Sequence, residues 1–344
     1  MLRREVVDLC PSTSLERIAK FNQRFVPEQR LSNIDFLAWK YRTQKPDGSK
    51  IIEHYGILND ENEVAGQISV QPMQAWINGQ WQQCNYWGDW YRDPAYPGYG
   101  VRLLNYIMQR KPSLLTAGAS DITLKLCERR EISLLPIDHR FVYVSRPLVA
   151  MIRAATTPRR AAGIFLRWSK KPAARAAKVS LEPGYQFSEE KSVDPDLLIG
   201  WESDLPPDTI FVRREKWLLS WFLETFPFSE FRLVVLSFKD KQIGYVLLHA
   251  RKTANNIVEG KIVDLFARGW IHDHLAALFR EGMRVLSKQG VHIIKYRATH
   301  PVFISLAQDG GFKLVRTQPF LAYCPIADAL VAGQHSIHMT YCDQ

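Results

Sequence analysis

Apolar runs on either side of a polar turn occur twice along the chain, and each pair predicts an antiparallel hairpin. In the first half, residues 54–58 and 64–70 flank the polar turn at 59–62. In the second half, residues 232–236 and 243–248 show the same pattern. Alternating or continuous apolar positions of this kind are typical of strands with at least one buried face.

Segments with helical spacing surround both hairpins. A tryptophan-containing helical segment precedes each hairpin. A further strand pattern with an aspartate follows, and then a helix in which apolar residues recur every three or four positions. In chain order these segments are 36–41, 86–91 and 101–109 in the first half, and 215–219, 261–266 and 274–288 in the second.

Matching residues of the two halves are separated by nearly one offset, which indicates an internal repeat. The offset is 178 residues for Trp39 with Trp217 and for Gly66 with Gly244, and 175 for Asp89 with Asp264. The shared order of elements predicts an α+β fold of two tandem domains, each a mixed, mostly antiparallel sheet flanked by helices. We predict an N-terminal domain over 1–147, a linker over 148–181 and a C-terminal domain over 182–344.

Composition agrees with a globular protein of two domains. The chain has 344 residues, which suits two cores of about 150 to 180 residues better than one. Apolar residues make up 46% and charged residues 23%, outside the range of disordered chains. No apolar run approaches the roughly 20 residues of a membrane span, and no secretory pattern opens the chain. Five scattered cysteines without metal spacing predict free thiols and a cytoplasmic location.

The net charge of +10 is concentrated in one segment, 146–178, which contains no acidic residue. Its flanks are near charge balance, so a nucleic-acid partner is not favoured. Apolar residues interleave with the basic ones, so the segment could form an amphipathic helix that contacts an anionic membrane. The alternative is an ordinary solvated connecting helix. The basic residues are Arg146, Arg153, Arg159, Arg160, Arg167, Lys170, Lys171, Arg175 and Lys178.

A glycine loop lies between the aspartate-bearing strand and the helix of the first half. Its sequence, residues 90–104, is Trp-Tyr-Arg-Asp-Pro-Ala-Tyr-Pro-Gly-Tyr-Gly-Val-Arg-Leu-Leu. Gly98 and Gly100 allow the backbone to approach a pyrophosphate, and the amides at the start of the helix point at an anion. This pattern resembles the signature of the GCN5-related N-acetyltransferase superfamily. It departs from that signature at Pro97, which has no amide to donate, and at Arg102, whose charge can meet a phosphate.

A second block extends the resemblance. Residues 120–132 are similar to the superfamily's helix that ends in a Gly-Phe turn, but Cys127 stands at the usual Tyr position. In the second half, residues 300–312 keep the Gly-Phe turn, whereas residues 267–272 lack a glycine loop. The resemblance covers residues 15–147 and 182–325 and is nearest to tandem acetyltransferase-like proteins of bacterial cell-surface polysaccharide biosynthesis.

The resemblance implies a cofactor, acetyl-CoA or another acyl-CoA, held by the first half. In that superfamily the strand before the loop splays from its neighbour, and the pantetheine arm fills the gap. The residues implied to bind the cofactor are Trp90, Tyr91, Arg92, Gly98, Tyr99, Gly100, Val101, Arg102, Leu103 and Ser120.

Acyl transfer to an amine needs a base, an acid near the leaving sulfur and a donor to the oxyanion. Asp89 is the candidate base; the alternative is a strand carboxylate paired with an arginine. Cys127 is the candidate acid; the alternative is a small core cysteine. Glu128 is a possible second carboxylate; the alternative is a surface ion pair. No metal site is predicted, because His272 and His274 lack a suitably placed third ligand.

Three hypotheses of function follow. The first is an acyl-CoA-dependent N-acyltransferase acting on a small-molecule or saccharide amine, such as an amino sugar or polysaccharide precursor. Aromatic residues near the loop can stack on such an acceptor or simply pack the core. The second is an inactive binding or scaffold protein near the membrane, favoured by Pro97, Cys127 and the basic linker. The third is an aminoacyl-tRNA-dependent transferase, which requires salt-dependent tRNA binding.

Overall fold

Both predicted hairpins form, and both are longer than the sequence pattern indicated. The computed structural model describes residues 5–26, 29–77, 79–111, 113–117, 120–130, 132–147, 181–200, 209–253, 256–323 and 336–338. The strands are β1 (Val7–Asp8), β2 (Glu53–Leu58), β3 (Val64–Ile77), β4 (Gln80–Arg92), β5 (Leu114–Ala117), β6 (Ser133–Val144), β7 (Tyr185–Glu190), β8 (Thr209–Val212), β9 (Phe231–Phe238), β10 (Lys241–Lys252), β11 (Val258–Ala267), β12 (Ile293–Ala298), β13 (Lys313–Tyr323) and β14 (Ser336–His338).

The predicted helices also form. The helices are α1 (Leu9–Ser12), α2 (Leu15–Phe25), α3 (Ile34–Arg42), α4 (Tyr99–Arg110), α5 (Asp121–Glu128), α6 (Lys216–Thr225), α7 (His272–Lys288) and α8 (Pro301–Asp309). Side-chain caps fix several starts: Ser14 accepts from the amide of Arg17, and Asn33 accepts from that of Phe36. No helix of the described residues is both long and apolar enough to cross a membrane.

Contacts divide the chain into two units that do not follow its linear order. Unit 1 comprises Met1–Leu135, Thr225–Pro227 and Phe320–Gly333; unit 2 comprises Pro136–Glu224, Phe228–Pro319 and Gln334–Gln344. The difference from the predicted boundaries arises because most of β6 pairs in unit 2, while the end of β13 pairs in unit 1. That each predicted domain folds by itself stays a prediction. Residues 148–180 of the predicted linker lie outside the described residues.

Unit 1 contains a sheet in the order β1-β2-β3-β4-β5, followed by Phe320–Tyr323 of β13. Neighbours are antiparallel except β4 and β5, which are parallel. The two faces of β3 meet different helices, since successive strand residues point to opposite sides. Gly66 faces Leu103 of α4, whereas the Gln67 amide donates to Asn22 of α2. Leu103, Leu104 and Ile107 enter the apolar core on the α4 side.

Unit 2 contains a sheet in the order β13-β6-β12-β11-β10-β9-β7, in which β11 and β12 are parallel. Strands β8 and β14 pair with each other in parallel. Helix α7 packs closely on β10 at Gly282, where a Cβ would lie 3.1 Å from Cδ2 of Leu248. The mixed sheets and flanking helices confirm the predicted fold class.

Candidate functional site

Strands β4 and β5 part after a short stretch of parallel pairing. The paired residues are Asn85 with Leu114 and Tyr86 with Leu115, and β4 then continues to Arg92. Along this continuation β4 remains paired with β3 on its other side. In the described part of the chain, residues 87–92 therefore have no strand partner on the β5 side.

A β-bulge interrupts β4 beside this gap. Between Gln67 and Ser69, strand β3 has one residue, whereas the facing stretch of β4 has two, Asp89 and Trp90. Asp89 has a φ of +46°, in the left-handed region that few residues other than glycine adopt. A bulge leaves its extra residue out of the hydrogen-bond ladder and redirects the side chains around it. Here the Asp89 carboxylate contacts Lys40 and Tyr41 of α3.

Helix α4 begins immediately after the glycine loop. Gly98 is its N-cap, with a φ of +91°, and no side chain caps the helix. A Cβ at Gly98 would have no atom within 4 Å, so the space beside this residue is open. The indole Nε1 of Trp90 donates to the Gly100 carbonyl at 3.0 Å and fixes the first turn against β4. Because the first amides of a helix lack partners within it, this N-terminus can receive an anion.

Two predicted arginines flank the loop. Arg92 is exposed, and its Nη1 donates to the carbonyls of Asp93 and Pro94, each at 3.3 Å. The guanidinium carbon of Arg102 lies 5.9 Å from the ring centroid of Tyr99. The loop thus joins an open helix N-terminus with two guanidinium groups, a combination suited to phosphate groups.

The remaining predicted cofactor residues differ in placement. Tyr91 and Val101 are half-buried near the loop. The Leu103 side chain is fully buried in the core, so only its backbone could face a ligand. Ser120 is not at this loop in sequence; it is the N-cap of α5, where its hydroxyl accepts from the amide of Thr123.

Asp89 is the centre of a polar cluster on the α3 side of the sheet. Its Oδ2 accepts from the Tyr41 hydroxyl at 2.7 Å and from the Ser69 hydroxyl at 2.8 Å, and lies 2.6 Å from Nζ of Lys40. Burial opposes ionisation, but the charge of Lys40 and the three hydrogen bonds outweigh it and hold the pKa of Asp89 at about 2. The carboxylate is therefore ionised at neutral pH and a weak proton acceptor. This fits the paired strand carboxylate, although the partner is a lysine rather than an arginine.

His54 adjoins the same cluster. Its ring stacks on Tyr41 with centroids 3.9 Å apart, and the side chain is fully buried. Within the described residues, neither ring nitrogen has a partner in hydrogen-bond geometry. Burial lowers the pKa of His54 to about 4, against the opposing effect of Asp89. The ring is therefore neutral at physiological pH.

Sequence reasoning missed Lys40, Tyr41, Ser69 and His54. Lys40 and Tyr41 are consecutive on α3 and belong to the helical tryptophan segment, but nothing in their spacing relates them to Asp89. The one available signal was the presence of polar residues in strands that otherwise read as buried: His54 in β2 and Ser69 in β3.

The other two candidate catalytic residues lie elsewhere in unit 1. Cys127 is fully buried in the apolar core, and burial raises its pKa to about 11. That placement fits the alternative of a small core cysteine. Glu128 is exposed at the end of α5. The neighbouring Arg130 donates to the side-chain oxygen of Asn105.

The aromatic residues of β3 and β4 mostly pack with one another. Tyr86 and Trp87 are buried, and Trp87 meets Trp90 edge to face at 5.3 Å. Trp76 and Trp81 pair at 5.4 Å across the β3–β4 hairpin and remain half-buried.

Unit 2 presents the same elements in a closed form. Asp264 on β11 accepts from Nε of Arg214 at 2.8 Å and from the Tyr245 hydroxyl at 2.7 Å, and all these groups are fully buried. Where unit 1 has its glycine loop, Gly269 and Trp270 both have positive φ. The Trp270 ring packs 5.1 Å from that of Phe303. The loop of unit 2 thus contains a buried aromatic ring, whereas Gly98 in the loop of unit 1 is exposed.

Comparison with known proteins rests on solved structures, since neither a family model nor a curated protein sequence matches the chain. An N-myristoyltransferase of Saccharomyces cerevisiae, solved with bound myristoyl-CoA, matches with a TM-score of 0.60 at 10% identity, over 94% of this chain and 79% of that one. A GCN5-related N-acetyltransferase of Anabaena variabilis matches with a TM-score of 0.57 at 10% identity, over 93% and 72%. The chain has the GCN5-related N-acetyltransferase fold.

A third structure of this acetyltransferase fold is the glucosamine N-acetyltransferase region of a fungal multi-domain β-N-acetylglucosaminidase. It matches with a TM-score of 0.54 at 10% identity, over 93% of this chain and 38% of that one. The matches extend over most of the chain, as expected for a tandem arrangement of the acetyltransferase fold.

Proposed function

We propose that the protein is an acyl-CoA-dependent N-acyltransferase whose unit 1 binds the cofactor. The observation that carries the proposal is the gap beside residues 87–92, where β4 continues past its pairing with β5 and Trp90 contacts the first turn of α4. Acyl-CoA has a long thioester arm attached to a pyrophosphate, and the gap and the helix N-terminus suit these two parts. Support also comes from the yeast N-myristoyltransferase of the same fold, which was solved with myristoyl-CoA.

Different groups of the loop and of β4 are assigned to different parts of the cofactor. We assign the pyrophosphate to the first amides of α4, with Gly98 leaving room for close approach and with charge from Arg92 and Arg102. The bulge at Asp89 and Trp90 would supply a backbone donor to the developing oxyanion. When bound, acyl-CoA supplies an activated acyl group for attack by an amine.

Asp89 does not act as the base in this proposal. With a pKa of about 2, Asp89 is too weak a base to collect the amine proton efficiently at neutral pH. We assign it a positioning role, in which its ion pair holds Lys40 and its two hydroxyl partners hold the bulge. The earlier assignments of Cys127 as acid and Glu128 as second carboxylate stay predictions.

Calorimetric titration with acetyl-CoA and with myristoyl-CoA tests cofactor binding. We expect micromolar affinity for at least one of them. Arg102→Gln should weaken binding about 10-fold through loss of a charge-assisted contact to phosphate. Arg102 is a cleaner target than Gly98, whose positive φ would strain any other residue.

Arg110→Gln is the matched control, because Arg110 lies at the opposite end of the same helix and its charge loss is identical. It should leave affinity unchanged. Absence of binding at millimolar concentrations of both thioesters would falsify the proposal, as would equal effects of the two substitutions.

For the acceptor we propose an amino sugar. The glucosamine N-acetyltransferase region of the fungal enzyme has the same fold, which supports this choice. Release of free CoA thiol with glucosamine, compared with amino acids and short peptides, distinguishes acceptor classes. Activity only with peptides would contradict the amino-sugar assignment and leave cofactor binding intact.

The membrane-scaffold and tRNA hypotheses depend on the basic segment. Its residues from 148 onward lie outside the described part of the chain, so both hypotheses stay predictions.

A further inference from the structure

A buried cluster of two arginines and one aspartate lies in unit 2, on strands β6 and β12. Nε of Arg297 donates to Oδ1 of Asp138 at 2.5 Å, and both side chains are fully buried. Arg140 faces Arg297 across the antiparallel strand pair, and its Nε lies 3.6 Å from Oδ2 of the same aspartate. One carboxylate therefore serves two guanidinium groups.

Two of the three guanidinium nitrogens of Arg297 have no acceptor in the described part of the chain. Among the described residues, its buried Nη1 and Nη2 atoms have no hydrogen-bond partner, and neither does the buried Nε of Arg140. A guanidinium carries five N–H donors, of which Asp138 receives only the one on Nε. Oδ2 of Asp138 is likewise buried without a hydrogen-bond partner from the described residues. Burying charged donors without partners is strongly unfavourable, so Nη1 and Nη2 of Arg297 require an acceptor beyond the hydrogen bonds that the described side chains make.

Arg214 shows what a saturated pair looks like in the same unit. Its Nε and Nη2 both donate to Asp264, and its Nη1 donates to the carbonyl of Val212. Every nitrogen of that guanidinium has a protein acceptor. Arg297, equally buried and also paired with an aspartate, has an acceptor at one nitrogen only.

Charge and shape indicate the missing group. Two arginines against one aspartate leave one positive charge, while the neighbouring Lys295 is already paired with Glu259 at 2.8 Å. A single negative charge would balance the cluster. The Nη1–Nη2 edge of a guanidinium matches a carboxylate through two parallel hydrogen bonds. The Arg140 side chain is 37% exposed, so this arginine connects the buried aspartate with solvent.

We propose that Arg297 and Arg140 bind the carboxylate of a small-molecule ligand in unit 2. The cluster is built from residues of this unit alone, and the proposal does not depend on cofactor binding in unit 1. Asp138 orients Arg297 by holding its Nε, so that the free edge of the guanidinium faces the ligand.

Thermal unfolding in acetate or formate tests the proposal, with chloride replaced at constant ionic strength and acetamide as the neutral analogue of acetate. A ligand that binds the folded state raises the melting temperature in a saturable way. We expect saturable stabilisation by acetate and formate and none by acetamide. Arg140→Gln should weaken the apparent affinity about 10-fold, and Arg297→Lys by about 10- to 100-fold, because it keeps the charge but loses the paired donors.

Arg251→Gln is the control, since Arg251 belongs to the same unit and pairs with Glu259 outside the cluster. It should leave the acetate response unchanged. Failure of acetate and formate to stabilise the wild-type protein beyond chloride would overturn the proposal and indicate that water satisfies these donors. Stabilisation by phosphate alone would overturn the carboxylate assignment. If Arg297→Lys does not fold, Arg140→Gln still decides, because an unchanged acetate affinity in that variant contradicts the proposal.

Discussion

Asp89 and Asp264 occupy matching places in the two halves, yet their surroundings differ. Both lie on the strand that precedes the loop, both accept a tyrosine hydroxyl at 2.7 Å, and both pair with a cation. Around Asp89, the carboxylate and Lys40 retain 11% and 15% exposure; around Asp264, the carboxylate and Arg214 retain 0% and 1%. One cluster is partly exposed, and the other is fully buried.

The loops that follow differ in the same sense. Gly98 is exposed, and a Cβ there would have no atom within 4 Å, whereas Trp270 in the loop of unit 2 is buried. The surroundings of the repeated carboxylate are therefore looser in one half and tighter in the other.

The largest expected effect comes from removing each carboxylate in turn. Asp264→Asn leaves Arg214 buried without its counter-charge and should lower the free energy of unfolding by about 3–5 kcal/mol. Asp89→Asn should cost less, about 1–3 kcal/mol, because Lys40 can reach water. Urea denaturation monitored by circular dichroism measures both. Arg232→Gln, which removes an exposed ion pair with Glu189, is the control and should cost under about 1 kcal/mol. Equal losses for the two aspartates would show that the clusters do not differ.

A second prediction concerns His54, which has no counterpart in the fully buried cluster. Its pKa falls from 6.5 to about 4 on folding, so the unfolded chain binds a proton first as the pH drops. Folded stability should therefore decrease between about pH 6.5 and pH 4, by about 3 kcal/mol. His54→Phe keeps the stack on Tyr41 and removes this slope, and should be neutral or stabilising at pH 5.

Unfolding free energies measured at pH 7, 6, 5 and 4 check this prediction. The Asp89 pKa acts only at lower pH: its stabilisation is present above about pH 4 and is lost as the pH falls towards 2. The two contributions therefore separate. Burial also lowers the pKa of His274, so a shallower slope can persist in His54→Phe. A slope between pH 6.5 and 4 that is equally steep in His54→Phe and in the wild-type protein would exclude His54 as its source.

The smallest expected effect is the difference in stability between the variants Tyr245→Phe and Tyr41→Phe. Tyr245→Phe removes a hydrogen bond to a fully buried carboxylate and should cost about 1.5–3 kcal/mol. Tyr41→Phe removes the same bond where Lys40, Ser69 and solvent remain available, so we expect about 1 kcal/mol. Denaturant midpoints of the matched variants give the difference. A larger loss for Tyr41 would reverse the comparison and place the tighter cluster in unit 1.

The sequence predicted the elements better than their contacts. Apolar periodicity identified α4 and α7 to within two residues of their starts, because each buries one continuous face. The glycine loop was also predictable, since Gly98 adopts a backbone conformation that glycine alone tolerates well. The partner of Asp89 was not, because Lys40 lies on a helix distant in sequence and no local rule relates the two.

Tertiary packing also explains why two of the predicted site residues have buried side chains. Cys127 and Leu103 fall in positions that the motif assigns to the site, but their side chains turn into the apolar core. Helical spacing gives the face of a residue relative to its own helix and does not say which face meets a ligand. The same limit applies to Arg297, whose strand pattern gave no sign that its guanidinium would be buried beside Asp138.

The last strand pairing in unit 1 has a consequence for biosynthesis. Phe320–Tyr323 completes the sheet against β5, although almost the whole of unit 2 lies between these strands in the chain. As the polypeptide leaves the ribosome, one edge of β5 remains unpaired until β13 has been synthesised. Such late, long-range closure slows folding and exposes a strand edge in the meantime. A fragment that stops at residue 147 would keep that edge unpaired, so we expect it to aggregate more readily than the full chain.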